Sequence, residues 1–159
     1  MMEIIEINES IRKKVHDLIT KNWGSPLMVT RGRMHFVDKL PGYVAIEGDE
    51  IVGLITYCID NNECEIVSLD SLHENQGVGT KLLEKVVEMA QEKGLNRIWL
   101  ITTNDNTRAI RFYQKRGFNM KALYLQAVCE ARKIKPEIPL YGYDGIPILH
   151  EIEFERILK

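Results

Sequence analysis

The run from Glu65 to Gly94, EIVSLDSLHENQGVGTKLLEKVVEMAQEKG, constrains the fold more tightly than any other part of the chain. It opens as an apolar strand, passes through a short polar stretch, and changes period at Gly77. From there Val78, Leu82, Leu83, Val86, Val87 and Ala90 form one helical stripe, with Lys81, Glu84, Lys85, Glu88 and Glu92 opposite. Gly94 stands where a left-handed residue ends a helix. Gly77 and Gly79 lack Cβ atoms at the helix start, so an anion can approach the unpaired N–H groups of the first turn. The helix dipole adds attraction there for a pyrophosphate. Two familiar nucleotide motifs do not match. A P-loop fails because Thr80 follows Gly79 and position 74 is Glu, and a dinucleotide fingerprint fails because Leu82 replaces the third small residue.

Upstream, the pattern is strand, helix and antiparallel meander. Glu3–Ile7 reads as a strand, and Asn8 or Ser10 can cap a helix carrying Ile11, Val15, Leu18 and Ile19 on one face. Residues 22–42 read as irregular around Gly24, Pro26, Gly32, Pro41 and Gly42, with a short strand within MVTRGRMHF. Tyr43–Glu47, Ile51–Asp60 and Cys64–Leu72 read as strands joined at Gly48-Asp49 and Asn61-Asn62. Downstream, Arg97–Thr103 is a strand, and a short helix capped by Asn104 or Asp105 ends at Gly117. Asn119–Arg132 and Glu151–Leu158 read as two more strands around the loop KPEIPLYGYDGIPI. Without repeats or a composition break, residues 1–159 are expected to form a single α+β domain.

Composition narrows the classes. Lys and Arg total 21 against 23 Asp and Glu, a net charge of −2, which disfavours a dedicated nucleic-acid binder. Hydrophobic residues at 45% and charged residues at 28% fit a globular chain rather than a disordered one. The Ile51–Ile59 run is too short for a membrane helix, and the acidic N-terminus does not resemble a signal peptide. Cys58, Cys64 and Cys129 lack C-x-x-C spacing, and His16, His35, His73 and His150 lack a metal-ligand pattern. A cytoplasmic protein without a metal is expected, with no nucleic-acid or membrane partner and a homodimer left open.

A second motif follows the next strand: NDNTRAIRFYQKRGF, residues 104–118, in which Ala109 and Tyr113 share a helical face beside Phe112. Alone, it reads as an aromatic helix packed on a sheet. Together with the glycine-marked helix it resembles the GNAT superfamily of N-acetyltransferases. Residues 74–79, ENQGVG, match the two small positions of the motif [RQ]-x-x-G-x-[GA], with Glu74 in place of Arg or Gln. Asn106, Ala109, Phe112, Tyr113, Gly117 and Phe118 match N-x-x-A-x-x-F-Y-x-x-x-G-F. The resemblance implies a mixed, mostly antiparallel sheet of about seven strands flanked by helices in three layers, in the order β-α-βββ-α-β-α-ββ.

It also implies chemistry: direct attack of an amine, on a small molecule or peptide, at the thioester of acetyl-CoA. Leu69 and Ser71 would offer main-chain groups to the pantetheine and the oxyanion. Glu74, Asn75, Gln76, Gly77, Val78, Gly79 and Thr80 would form the pyrophosphate cradle. Asn106, Ala109 and Phe112 would complete the cofactor contacts. Tyr113 falls at the family's general-acid position, with cofactor packing as its other reading, and Glu65 at the position of a base acting through water or of an ordinary strand carboxylate. Trp23, Arg31, Arg33, His35, Tyr141, Tyr143 and Asp144 are the acceptor-side candidates. Glu151, Glu153 and Glu155 read as the wet face of a strand. A non-catalytic acyl-CoA sensor of the same fold is the alternative.

Overall fold

Turns that demand positive φ set the antiparallel half of the sheet. Gly48 (φ 63°) and the pair Asn61 and Asn62 (φ 52° and 62°) supply the left-handed backbone of tight hairpins. The computed structural model describes residues 2–72 and 77–159. Its strands are β1 (Met2–Glu6), β2 (Leu27–Thr30), β3 (Arg33–Phe36), β4 (Gly42–Glu47), β5 (Glu50–Asp60), β6 (Glu63–Ser71), β7 (Arg97–Thr103), β8 (Asn119–Tyr124) and β9 (Glu151–Ile157). Its helices are α1 (Arg12–Trp23), α2 (Val78–Glu92), α3 (Thr107–Lys115) and α4 (Ala127–Ile134). Seven strands make one sheet in the order β1-β4-β5-β6-β7-β9-β8, and β2 and β3 form a separate hairpin. Of the sheet's pairings only β6 with β7 is parallel, as the helical crossover through α2 requires.

Each face of the sheet buries a different helix. The α2 stripe packs against Ala45, Ile55, Ile66, Ile98 and Leu100, and the same cluster takes in Tyr113, Phe118 and Phe154. On the other face, Val15 and Ile19 of α1 meet Val44, Leu54 and Val67. Burial drives the Tyr57 hydroxyl from its ordinary 10.0 to about 12 and the Cys64 thiol from 9.0 to about 12. The unfolded chain therefore loses these protons at a pH where the native chain still holds them. The free energy of unfolding is expected to fall as pH rises from about 9 to about 12, which urea titrations across that range will read.

Gly42 has no room for a side chain against β5. A Cβ there would lie 2.0 Å from the Ile55 carbonyl oxygen and 2.9 Å from Thr56 Cα, both backbone atoms that cannot swing aside. Gly42→Ala is expected to cost about 3 kcal/mol, measured as a lowered urea midpoint.

Three sequence expectations change. Residues 119–132 are not one strand: β8 stops at Tyr124, and Gln126 adopts φ 60° with its amide donating to His150 Nδ1 at 2.9 Å. That turn redirects the chain into α4, which buries Val128 and Ala131 at helical spacing. Residues 27–36 form a hairpin rather than an irregular segment with one strand, since Arg31 and Gly32 (φ 51° and 74°) make the turn. The caps also differ. α1 begins after Ile11 with no side-chain cap, while Asn8 Oδ1 instead accepts from the Ser10 amide, and Asn106 rather than Asn104 or Asp105 caps α3. No helix among the described residues is long and apolar enough to cross a membrane.

Candidate active site

The parallel pairing of β6 with β7 runs only from Glu63↔Arg97 to Ile66↔Leu100, although β6 continues to Ser71 and β7 to Thr103. Beyond Ile66 the two strands part. A bulge accompanies the split, because Thr56 pairs with Ser68 and Tyr57 with Ile66, leaving Val67 as the extra residue. The Leu72 amide donates to the Val52 carbonyl at 2.9 Å, so alternation turns the amides of Ser68 and Asp70 toward β5. Leu69 and Ser71 consequently present theirs to the opening between β6 and β7.

The start of α2 borders this opening. Gly77 sits at φ 76° with nothing within 4 Å of where a Cβ would stand, while a Cβ on Gly79 would lie 3.5 Å from the Phe112 ring. Val78 is buried in the core. Thr80 Oγ1 accepts from Arg116 Nε and Nη2 at 2.9 and 2.7 Å, and Arg116 Nη1 donates to the Phe112 carbonyl at 2.9 Å. The guanidinium also stacks 3.8 Å from the Phe112 ring centroid, which fastens the end of α3 to the first turn of α2 and brings a cation there. Arg116 was missed in the sequence because only the packing of the two helices reveals its target. Glu74, Asn75 and Gln76 lie outside the described residues.

α3 supplies the aromatic wall. Asn106 Oδ1 accepts from the Ala109 amide at 3.1 Å, so its carbonyl oxygen is committed to capping. Ala109 and Phe112 pack on the core edge. Tyr113, only 6% exposed, has its ring 5.1 Å from Phe112, 5.4 Å from Phe118 and 6.5 Å from Phe154. Burial, and then the negative charge of Asp70, raise its hydroxyl well above the usual phenol range. Burial likewise raises the Asp70 carboxyl, opposed by the Trp23 indole, which donates to Oδ2 at 3.2 Å. Trp23 thus ties the end of α1 to β6.

On the opposite face, the β2–β3 hairpin covers a row of carboxylates. Glu65 is 2% exposed. Thr30 Oγ1 donates to Glu65 Oε2 at 2.8 Å and lies 3.1 Å from His35 Nε2. Oε1 is buried without a hydrogen bond, with His35 Nε2 at 3.4 Å and Arg33 Nη1 at 3.7 Å. Of the acceptor-side candidates, Arg33 and His35 therefore converge on Glu65. Arg31 stacks 3.3 Å from the Tyr124 ring centroid, and its amide donates to Glu151 Oε1. Tyr141 and Tyr143 are exposed, and the Tyr143 amide is tied to Asp105 Oδ2. Asp144 occupies a turn at φ 56°.

The acidic strand is not a wet face. Glu151 and Glu153 are 3% and 7% exposed, because the hairpin, tied down through Arg31 and through Lys135 Nζ bonding the Leu27 carbonyl, lies over them. Arg97 pairs with Glu63, Glu153 and Glu155 at 3.1, 2.9 and 2.9 Å, while Tyr124 donates to Glu153. Alternation alone could not reveal a covering element that is distant in sequence. Among the described residues, no group of His, Cys, Asp and Glu could hold a metal.

A model of the acetyltransferase (GNAT) family matches residues 8–118, and the chain belongs to that family. It is 47% identical to the uncharacterized protein YdhI of Bacillus subtilis, over 99% of each chain. It is 26% identical to the N-alpha-acetyltransferase 30 of Schizosaccharomyces pombe, covering 78% of this chain and 89% of the relative. A GNAT family acetyltransferase from Elizabethkingia anophelis, solved with acetyl-CoA bound, superposes with a TM-score of 0.71 at 21% identity, covering 99% of this chain and 98% of the other.

Proposed function

We propose that this acetyltransferase moves the acetyl group of acetyl-CoA onto a primary amine of a small molecule or peptide. The observation that carries the reading is the opening beyond Ile66↔Leu100, where Leu69 and Ser71 turn their amides inward, with the Tyr113 hydroxyl within electrostatic reach of Asp70 on the same strand. In this reading the Ser71 main chain hydrogen-bonds the pantetheine arm, and the Leu69 amide donates to the thioester oxygen as negative charge develops there. The first turn of α2, from Gly77 to Thr80, receives the pyrophosphate through its N–H groups, with Arg116 adding charge. Asn106, Ala109 and Phe112 shape the wall of the cofactor channel.

Three proton events follow from the reaction. Glu65 takes a proton from the incoming ammonium. The free amine attacks the thioester carbon, and the C–S bond breaks as the tetrahedral intermediate collapses. Tyr113 gives its proton to the departing thiolate. Burial raises that phenol and so favours its protonated form, the form an acid needs. We place the activity in a reducing cytoplasm, in keeping with the free thiols of Cys58, Cys64 and Cys129.

Release of CoA thiol from acetyl-CoA, measured with and without a panel of amines, tests the assignment. Amine-dependent release with acetylated product is expected. CoA binding with no transfer to any amine would instead identify an acyl-CoA sensor.

A further inference from the structure

The register across β5, β6 and β7 places Cys58, Glu65 and Trp99 in one cross-strand row, and Asp60, Glu63 and Arg97 in the next row on the same face. Arg33, from the tip of the β2–β3 hairpin, overhangs both rows. Together Arg33, Cys58, Asp60, Asn61, Glu63, Glu65 and Trp99 line a cavity of about 130 Å³. Three of the seven are carboxylates, one is an aromatic ring, and one is a guanidinium whose side chain is 45% exposed. Arg97, beside the cavity, is already shared among Glu63, Glu153 and Glu155.

Glu65 marks the cavity as a ligand site rather than a cluster of surface acids. Its Oε1 is shut off from water and has no hydrogen bond, the costliest state for a carboxylate oxygen. The Arg33 guanidinium at 3.7 Å faces its charge and His35 Nε2 stands at 3.4 Å, but neither is hydrogen-bonded to Oε1. Oε2, by contrast, is satisfied by Thr30, which fixes the side chain with Oε1 as its open valence. A primary ammonium brings three donors and a charge of the right sign.

We propose, resting on the transferase reading above, that this cavity is the acceptor subsite and that it selects an unbranched alkyl diamine. The reacting nitrogen sits toward Glu65 Oε1 in place of the Arg33 guanidinium, and the second ammonium sits between Asp60 and Glu63. The two rows are two residues apart along β6, about 6.6 Å, close to the span of a four-carbon chain between two nitrogens. The alkyl chain lies along the Trp99 and Cys58 row. An acceptor with a carboxylate at its far end meets Asp60 and Glu63 and is repelled. Arg33 competes with the ligand cation for Glu65.

Three probes that share a four-carbon chain isolate the far end of the acceptor: butane-1,4-diamine, butylamine and 4-aminobutyrate. Their binding to the CoA-loaded full-length protein is measured by calorimetry, so the result does not depend on turnover. The diamine is expected to bind about tenfold more tightly than butylamine, with 4-aminobutyrate weakest. Asp60→Asn, on an exposed residue that leaves the Arg97 network intact, is expected to narrow the diamine-to-butylamine ratio about threefold, and Glu63→Gln to narrow it further. Arg33→Ala is expected to tighten diamine binding. Strongest binding of 4-aminobutyrate, weakened by Arg33→Ala, would overturn the proposal, because Arg33 would then be reading a carboxylate. Indifference to the terminal group, or a diamine preference that survives both acid substitutions, would overturn it too. Acetylated product forming without any preference for the second charge counts against this inference alone. The expected binding order with no acetylated product from any amine counts against the transferase reading instead.

Discussion

Tyr113→Phe is expected to lower kcat by about 10²-fold while leaving CoA affinity and folding close to those of the parent chain. The phenylalanine ring keeps the edge-on contacts with Phe112 and Phe118 that bury the position, so only the hydroxyl is lost. That hydroxyl is the one proton donor here that burial and Asp70 together hold in its neutral form. Without it the thiolate must leave unprotonated or take its proton from water. The loss should fall on kcat rather than KM, because the donor acts on the leaving group and not on the bound ground state. An unchanged kcat would reduce Tyr113 to a packing residue.

Glu65→Gln is expected to cost about 10²-fold in kcat/KM at neutral pH. The substitution preserves volume and leaves an oxygen to accept from Thr30, so the β2–β3 hairpin keeps its seat. What disappears is the negative charge that Arg33 and His35 face, and with it the group able to draw a proton from the incoming ammonium. Because an amine that is already unprotonated needs no base, part of the loss should be recovered as pH rises toward the amine's own pKa. A loss that stays constant with pH, with butylamine as the acceptor, would mean that Glu65 serves structure and not proton removal.

The parts of the fold legible in the sequence are those written in local periodicity. The α2 stripe, the Gly48 and Asn turns, and the strand before Gly77 each carry their own signal, and all appear where expected. The parting of β6 from β7 carries no local signal, since it depends on where a parallel pairing stops. The hairpin was hidden because Gly24, Pro26 and Gly32 break the pattern on either side of two four-residue strands. The boundary between β8 and α4 was hidden because an alternating run continues past Tyr124 into a helix whose two buried residues lie three apart. The site divides in the same way. Tyr113, Phe112 and Asn106 were legible as a spaced motif. The Thr30, His35 and Glu65 network joins residues 35 and 5 positions apart in sequence and exists only once the hairpin has closed over the sheet.

If the cofactor docks along β6 beyond Ile66, residue-resolved amide hydrogen exchange reads that stretch directly. On addition of acetyl-CoA, the amides of Leu69 and Ser71 are expected to slow selectively, while those of Ser68 and Asp70, already turned toward β5, keep their rates. Unchanged rates at Leu69 and Ser71, at acetyl-CoA concentrations that saturate the protein, would rule out docking along that strand.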